Sequence, residues 1–216
     1  MKLGAIDVGS NAIRVLIAEV KKPLGVWRYS KIAYLRLPVR LGDDVFEKGS
    51  ISDAKIERFL DGMKIFKAML AFYKVDAYRA VATSAMRDSN NAKRIQSRVF
   101  KETGITLDVI SGKEEAELVY LTFQLMHNIK TNYLLVDVGG GSTEITLFQD
   151  NQIHAAKSFQ IGSVRMLKNK VKPEEWDKMR DWIATEIAPH NPQRIFGSGG
   201  TINSVHKVLE NSSKDP

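Results

Sequence analysis

The string Ala5-Ile6-Asp7-Val8-Gly9-Ser10-Asn11 returns 130 positions later as Leu135-Val136-Asp137-Val138-Gly139-Gly140-Gly141. Each copy reads as an apolar strand, an Asp, one more apolar residue and a Gly-led turn. A second strand follows each one, Ile13 to Val20 in the first case and Glu144 to Phe148 in the second. Self-similarity of this kind, with helices between the copies, predicts a doubled structural unit. A chain of 216 residues, 44% hydrophobic and 26% charged, can bury one substantial core or split into two small lobes, and the repeat decides for two lobes facing each other.

Between the repeats, hydrophobic spacing alternates between strand and helix periods. Trp27 to Leu37 reads as a third strand. Ile56, Phe59, Leu60, Met63, Phe66 and Leu70 recur at helical steps behind Ser52 as N-cap. Val75 to Ala82 and Ile105 to Ile110 read as strands, with a helix from Asn91 to Thr103 between them. Ser111-Gly112-Lys113-Glu114 is a capping box that opens a helix running to about His127. In the second half, a strand from Ile153 to Ser158 is followed by helices at Ser163 to Lys168 and Pro173 to Ile187. Then come a strand at Arg194 to Phe196, a Gly197 to Gly200 loop, a helix from Thr201 to Leu209 and a polar tail. Met63, Met69 and Met126 are core candidates.

The two turns carry the chemistry. Gly and Ser at a hairpin bend expose backbone N–H groups with no bulky side chain in front of them, which suits an anion; a carboxylate beside them suits Mg²⁺ or a water. A strand follows Gly139-Gly140-Gly141-Ser142-Thr143, whereas a dinucleotide-binding turn needs a helix there, and no Gly-x-x-x-x-Gly-Lys-Ser/Thr string occurs. The absence of cysteine excludes disulfides, zinc–thiolate sites and thiol nucleophiles. His127, His154, His190 and His206 show no ligand spacing. A formal charge of +7 favours polyanionic ligands, and Lys168, Lys170 and Lys172 form either a solvated patch or a polyanion track. No apolar run reaches the length of a membrane span and no signal-peptide pattern opens the chain, so the expectation is a soluble, cytoplasmic protein with no membrane or specific nucleic-acid partner.

Five motifs in order, Ile6 to Asn11, Thr83-Ser84-Ala85-Met86-Arg87-Asp88, Ile110 to Ala116, Val136 to Glu144 and Gly197-Ser198-Gly199-Gly200-Thr201, resemble the exopolyphosphatase / guanosine pentaphosphate phosphohydrolase (Ppx/GppA) family across nearly the whole chain. The resemblance implies an α/β protein of duplicated ribonuclease-H-like, actin-like ATPase lobes around a phosphate cleft, here residues 1–128 and 129–216. It implies metal-dependent release of terminal phosphate from polyphosphate or guanosine pentaphosphate, the latter a signal of the stringent response. Carried over by position, Glu115 is the catalytic carboxylate that orients or deprotonates water. Asp7, Asp137 and Glu144 are ligands of Mg²⁺ or another divalent cation. Ser10, Asn11, Arg87, Gly139, Gly140, Gly141 and Ser142 contact phosphate, and Gly199, Gly200 and Thr201 meet the far end of the cleft.

Neighbouring glutamates take different roles: Glu114 belongs to the capping box, while Glu115 points about 100° away around the helix. Ala12 and Ile13 stand where many members carry Ser and a bulky residue. The family's second lobe continues past the point where this sequence stops, so the expectation is an incomplete second lobe whose uncovered sheet face pairs two copies or aggregates. Two alternatives to hydrolysis follow: a catalytically impaired module that binds a polyanion or nucleotide, and a kinase of the same superfamily.

Overall fold

The computed structural model describes residues 1–126, 131–150 and 152–212. The chain divides into two compact units, Met1–Ile110 and Ser111–Pro216. The boundary expected after residue 128 lies outside the described residues, as does His127.

In the first unit, β1 (Lys2–Val8), β2 (Ile13–Lys21) and β3 (Arg28–Leu37) form an antiparallel meander. It is followed by α1 (Leu41–Lys48), α2 (Asp53–Phe72), β4 (Ala77–Ala82), a single turn α3 (Ser84–Arg87), α4 (Ala92–Thr103) and the short β5 (Asp108–Val109). The sheet order is β3-β2-β1-β4-β5, with β4 parallel to β1 and β5 parallel to β4. Ile6, Val8, Ile13, Val15 and Ile17 are buried, and so is every position of the helical stripe Ile56, Phe59, Leu60, Met63, Phe66 and Leu70. The helical period therefore places α2 correctly.

Ser52 holds the N-cap position of α2, but its hydroxyl makes no cap bond. It donates instead to Asp44 Oδ2 of α1 at 2.5 Å, and its amide donates to the same oxygen at 3.0 Å. Burial pushes the Asp44 carboxyl up, yet the two Ser52 donors and Lys55 outweigh it and hold the group below its usual range. A depressed carboxylate stabilises the fold above its unfolded pKa and loses that contribution as pH falls through the folded value. Ser52→Ala is therefore expected to cost about 1.5 kcal/mol at pH 7, with the difference from wild type shrinking below pH 4. Urea melts at the two pH values check this.

The second unit opens with α5 (Gly112–Met126), then β6 (Tyr133–Val138), β7 (Thr143–Gln149), β8 (Gln152–Phe159), α6 (Ser163–Leu167), α7 (Pro173–Trp182), β9 (Arg194–Ser198) and α8 (Gly199–Ser212). Ser111 caps α5 as the capping box predicts, its hydroxyl accepting from the Glu114 amide at 3.1 Å. Pro173 sits in the first turn of α7. The sheet order β8-β7-β6-β9, with β9 parallel to β6, repeats the β3-β2-β1-β4 order of the first unit. Two-residue periodicity partitions this sheet. Tyr133, Leu135 and Phe148 pack with Val119 and Tyr120 of α5, where Tyr120 stacks on Phe148 at 4.6 Å. Leu134, Ile145, Leu147 and Phe159 pack with Met179 and Trp182 of α7.

Several sequence expectations need correcting. The helices α1 and α3 were not foreseen. Arg87 ends the α3 turn, and the strand expected over Ile105 to Ile110 shortens to two residues. Gly199 and Gly200 are the first residues of α8 rather than a loop, while Gly197 and Ser198 complete β9. The helix expected to run to Ile187 leaves regular α geometry after Trp182 in a wider turn over Ile183–Ile187.

Candidate active site

The two hairpin turns are built alike. Gly9 N donates to Ala12 O at 3.1 Å in the first, and Gly139 N to Ser142 O at 3.0 Å in the second. In each, the start of the helix after the third strand seizes the turn's carbonyls. Gly42 N donates to Ser10 O and Arg40 N to Asn11 O, both at 2.8 Å. Val164 N donates to Gly140 O at 2.8 Å and Ser163 N to Gly139 O at 3.0 Å. Arg165 Nε adds a bond to Gly141 O at 2.9 Å. Among the described residues, the amides of Ser10, Asn11, Gly140 and Gly141 donate no hydrogen bond within the protein. Adjacent amides of this kind form a concavity suited to an anion.

Across the second sheet, strand register sets four polar residues in one transverse row. Ser158 of β8 lies opposite Glu144 of β7, Glu144 opposite Asp137 of β6, and Asp137 opposite Ser198 of β9. By the same alternation that puts Tyr133, Leu135 and Phe148 against α5, this row belongs to the α5 face. Glu144 is 3% exposed and accepts from Ser158 Oγ at 2.7 Å. A Cβ on Gly199, which adopts φ +93°, would fall 2.6 Å from Asp137 Oδ1, so the carboxylate nestles against the start of α8. Glu115 is partly buried, with Oε2 shut off from solvent. It precedes the sheet-facing Val119 by four residues and so shares its side of α5.

The matching row of the first sheet differs in charge. Asp7 lies opposite Arg14, and Arg14 opposite Arg36. Arg14 Nη1 binds Asp7 Oδ2 at 2.6 Å, so the cation stands where the second hairpin has Glu144.

Of the residues named from sequence, Glu115, Asp137, Glu144, Gly139, Gly140, Gly141, Ser142, Gly199, Gly200 and Thr201 fall in the second unit, and Asp7, Ser10, Asn11 and Arg87 in the first. Asn11 is exposed at its turn, whereas the Ser10 hydroxyl is buried on Ser84 Oγ at 2.8 Å. Arg87 Nη1 donates to Ile110 O at 2.9 Å. Ser142 is buried, and the neighbouring Thr143 hydroxyl donates to Ile161 O. Lys168, Lys170 and Lys172 are exposed. Sequence reasoning missed Arg14 and Ser158, and named Ser198 only within the Gly197 to Thr201 motif; Arg14 was within reach, since it stands 130 residues before Glu144.

Among the described residues, no three or more His, Asp or Glu side chains gather into a metal-binding group. The Asp137–Glu144 pair nonetheless fits Mg²⁺. Both are hard oxygen donors at one level of one hairpin, and Mg²⁺ typically takes one or two carboxylates, completing its shell with substrate oxygens and water.

The α/β architecture is duplicated, each half bearing an acidic residue beside a hairpin turn of the same construction. The chain belongs to the Ppx/GppA phosphatase family, whose model matches residues 17–211. It is 36% identical to the bifunctional 3-dehydroquinate synthase/phosphatase of Fusobacterium nucleatum, over 95% of this chain and 34% of that protein. It is 26% identical to exopolyphosphatase 1 of Mycobacterium tuberculosis, over 87% of this chain and 56% of that one. The crystal structure of the Aquifex aeolicus Ppx/GppA family member superposes with a TM-score of 0.77 at 28% identity, covering 100% of this chain and 72% of the other. The chain thus spans between a third and just over half of the length of the two sequence relatives. Among the described residues, no helix is long and apolar enough to cross a membrane.

Proposed function

We propose that the chain catalyses hydrolysis of terminal phosphoanhydride bonds, with inorganic polyphosphate or guanosine pentaphosphate as substrate. Water attacks the terminal phosphorus, the bridging P–O bond breaks, and the products are inorganic phosphate and a chain one phosphate shorter. The carrying observation is the second hairpin, where carboxylates on one face of the sheet adjoin a turn whose amides are left for an anion.

Transfer of a phosphoryl group needs positioning and charge compensation more than covalent chemistry. The amides of Gly140 and Gly141 hold phosphate oxygens at the turn of the second unit, those of Ser10 and Asn11 do so at the turn of the first, and Arg87 contacts phosphate through its guanidinium. Glu115 orients the attacking water and receives its proton. Asp137 and Glu144 would hold a divalent cation, which when bound neutralises charge on the transferring phosphate. Gly199, Gly200 and Thr201 meet the part of the substrate beyond the terminal phosphates. The absence of cysteine suits a cytoplasmic setting.

The test is release of inorganic phosphate from medium-length polyphosphate and from guanosine pentaphosphate by the purified 216-residue chain, with Mg²⁺ and with excess EDTA. Mg²⁺-dependent release that EDTA abolishes is expected. Tight polyphosphate binding in a calorimetric titration without any release would replace the hydrolase by a binding module.

A further inference from the structure

We propose that Ser158 is a positioning residue for Glu144, a role that rests on the phosphohydrolase reading above. Glu144 is almost wholly buried, and a buried carboxylate must find its hydrogen bonds within the protein or lose its charge. Ser158 supplies one, its hydroxyl donating to Oε1 at 2.7 Å. The two residues are register partners on adjacent antiparallel strands, so their Cβ atoms stand side by side and the hydroxyl reaches the carboxylate without strain.

A second observation fixes the hydroxyl itself. The first residue of α5, Gly112, lies so close to Ser158 that a Cβ there would fall 2.7 Å from Ser158 Cβ and 2.9 Å from its Oγ. The α5 backbone therefore walls in the Ser158 side chain and restricts its rotamers. The wall is the first turn of the helix that carries Glu115. Ser158 thus joins two parts of the candidate site, the carboxylate on β7 and the helix start that carries the water-orienting residue. A glutamate has three side-chain torsions, and a hydrogen bond to one oxygen fixes the plane in which the other points. Outer-shell partners of metal-binding carboxylates act in this way, and removing one typically costs 10- to 100-fold in metal affinity or activity. The first hairpin lacks the arrangement: Asp7 is served by Arg14, and the β3 residue in register with Arg14 is Arg36.

The experiment compares wild type, Ser158→Ala, Glu144→Gln and the double variant. Steady-state phosphate release from polyphosphate is one readout. The other is calorimetric Mn²⁺ binding in the presence of methylenediphosphonate, which cannot be hydrolysed. For Ser158→Ala, kcat is expected to fall about 10- to 100-fold with KM within about twofold, and Mn²⁺ to bind about 10- to 100-fold more weakly. Because Ser158 acts through Glu144, the double variant should be no worse than Glu144→Gln alone. Should Ser158→Ala fail to fold, Gly112→Ala pushes the same hydroxyl away and carries the same expectation. Wild-type kcat and Mn²⁺ affinity in a folded variant, or a loss that adds in full to that of Glu144→Gln, overturns the positioning role. A wild-type chain that binds Mn²⁺ and diphosphonate but releases no phosphate overturns the hydrolase reading instead, and Mn²⁺ affinity then decides the role of Ser158 alone.

Discussion

Replacing Glu115 by Gln is expected to lower kcat for phosphate release by about 10²- to 10⁴-fold, the range over which a positioned acid–base side chain acts. KM for polyphosphate should stay within about threefold. Gln keeps the size of the side chain and its place on α5 but cannot take a proton, so the loss falls on the step in which water attacks. The adjacent residue sharpens the test. Glu114 belongs to the helix start, where its amide donates to Ser111 Oγ. Gln serves that capping role as well as Glu does, so Glu114→Gln should leave kcat unchanged. Two neighbouring carboxylates about 100° apart around one helix are thus assigned opposite outcomes, which a general effect of charge on the α5 N-terminus could not produce. Equal losses in the two variants, or none in Glu115→Gln, would remove Glu115 from the mechanism, and stopped-time phosphate assays at saturating polyphosphate decide it.

What the sequence revealed and what it hid divide along physical lines. The paired turns at Asp7 and Asp137 were legible because a tight hairpin makes local demands, strand, Gly and strand within a dozen residues, and both copies meet them with the same Gly N–H bond across the turn. The stripe that buries α2 was legible for the same reason, since helical periodicity is a local property. By contrast, α1 (Leu41–Lys48) follows Arg40, whose φ of 56° is left-handed and whose residue type is no usual N-cap, and it has Gly42 in its first turn, so no local helix signal marks its start. It forms where its amides meet the carbonyls of Ser10 and Asn11, some thirty residues back along the chain. Gly199 and Gly200 signal a loop, yet the first turn of a helix tolerates them, and Gly199 is required there by the approach of Asp137. Ser158 was hidden by the β7–β8 pairing itself. The register shifts at Leu147/Phe148, and counting outward from the turn without that irregularity does not find Glu144 as its partner. The residues around the Asp positions could thus be read from local motifs, whereas those set by pairing between distant strands could not.

Gly162→Ala is the second large expectation, and it tests whether the hairpin turn holds phosphate. Gly162 has an extended backbone that any residue can adopt, φ −149° and ψ 158°, so conformational freedom does not explain the glycine. Space does: a Cβ there would fall 2.5 Å from Gly140 C, Gly140 O and Gly141 N. These are backbone atoms with no flexible end to swing aside, so α6 or the turn must move. Movement strains the bonds from Ser163 N to Gly139 O and from Val164 N to Gly140 O, and with them the Arg165 link to Gly141 O. Overpacking of this kind costs about 1–3 kcal/mol in stability. More tellingly, it redirects the Gly140 and Gly141 amides, so KM for polyphosphate should rise at least about tenfold, since each misplaced charge-assisted bond forfeits about 1.5 kcal/mol or more. Arg165→Met leaves the Gly162 contact intact while removing one brace, and it should raise KM by less. A folded Gly162→Ala protein with wild-type KM would show that polyphosphate is held by something other than this turn, and the anion-binding role of the second hairpin would fall with that result.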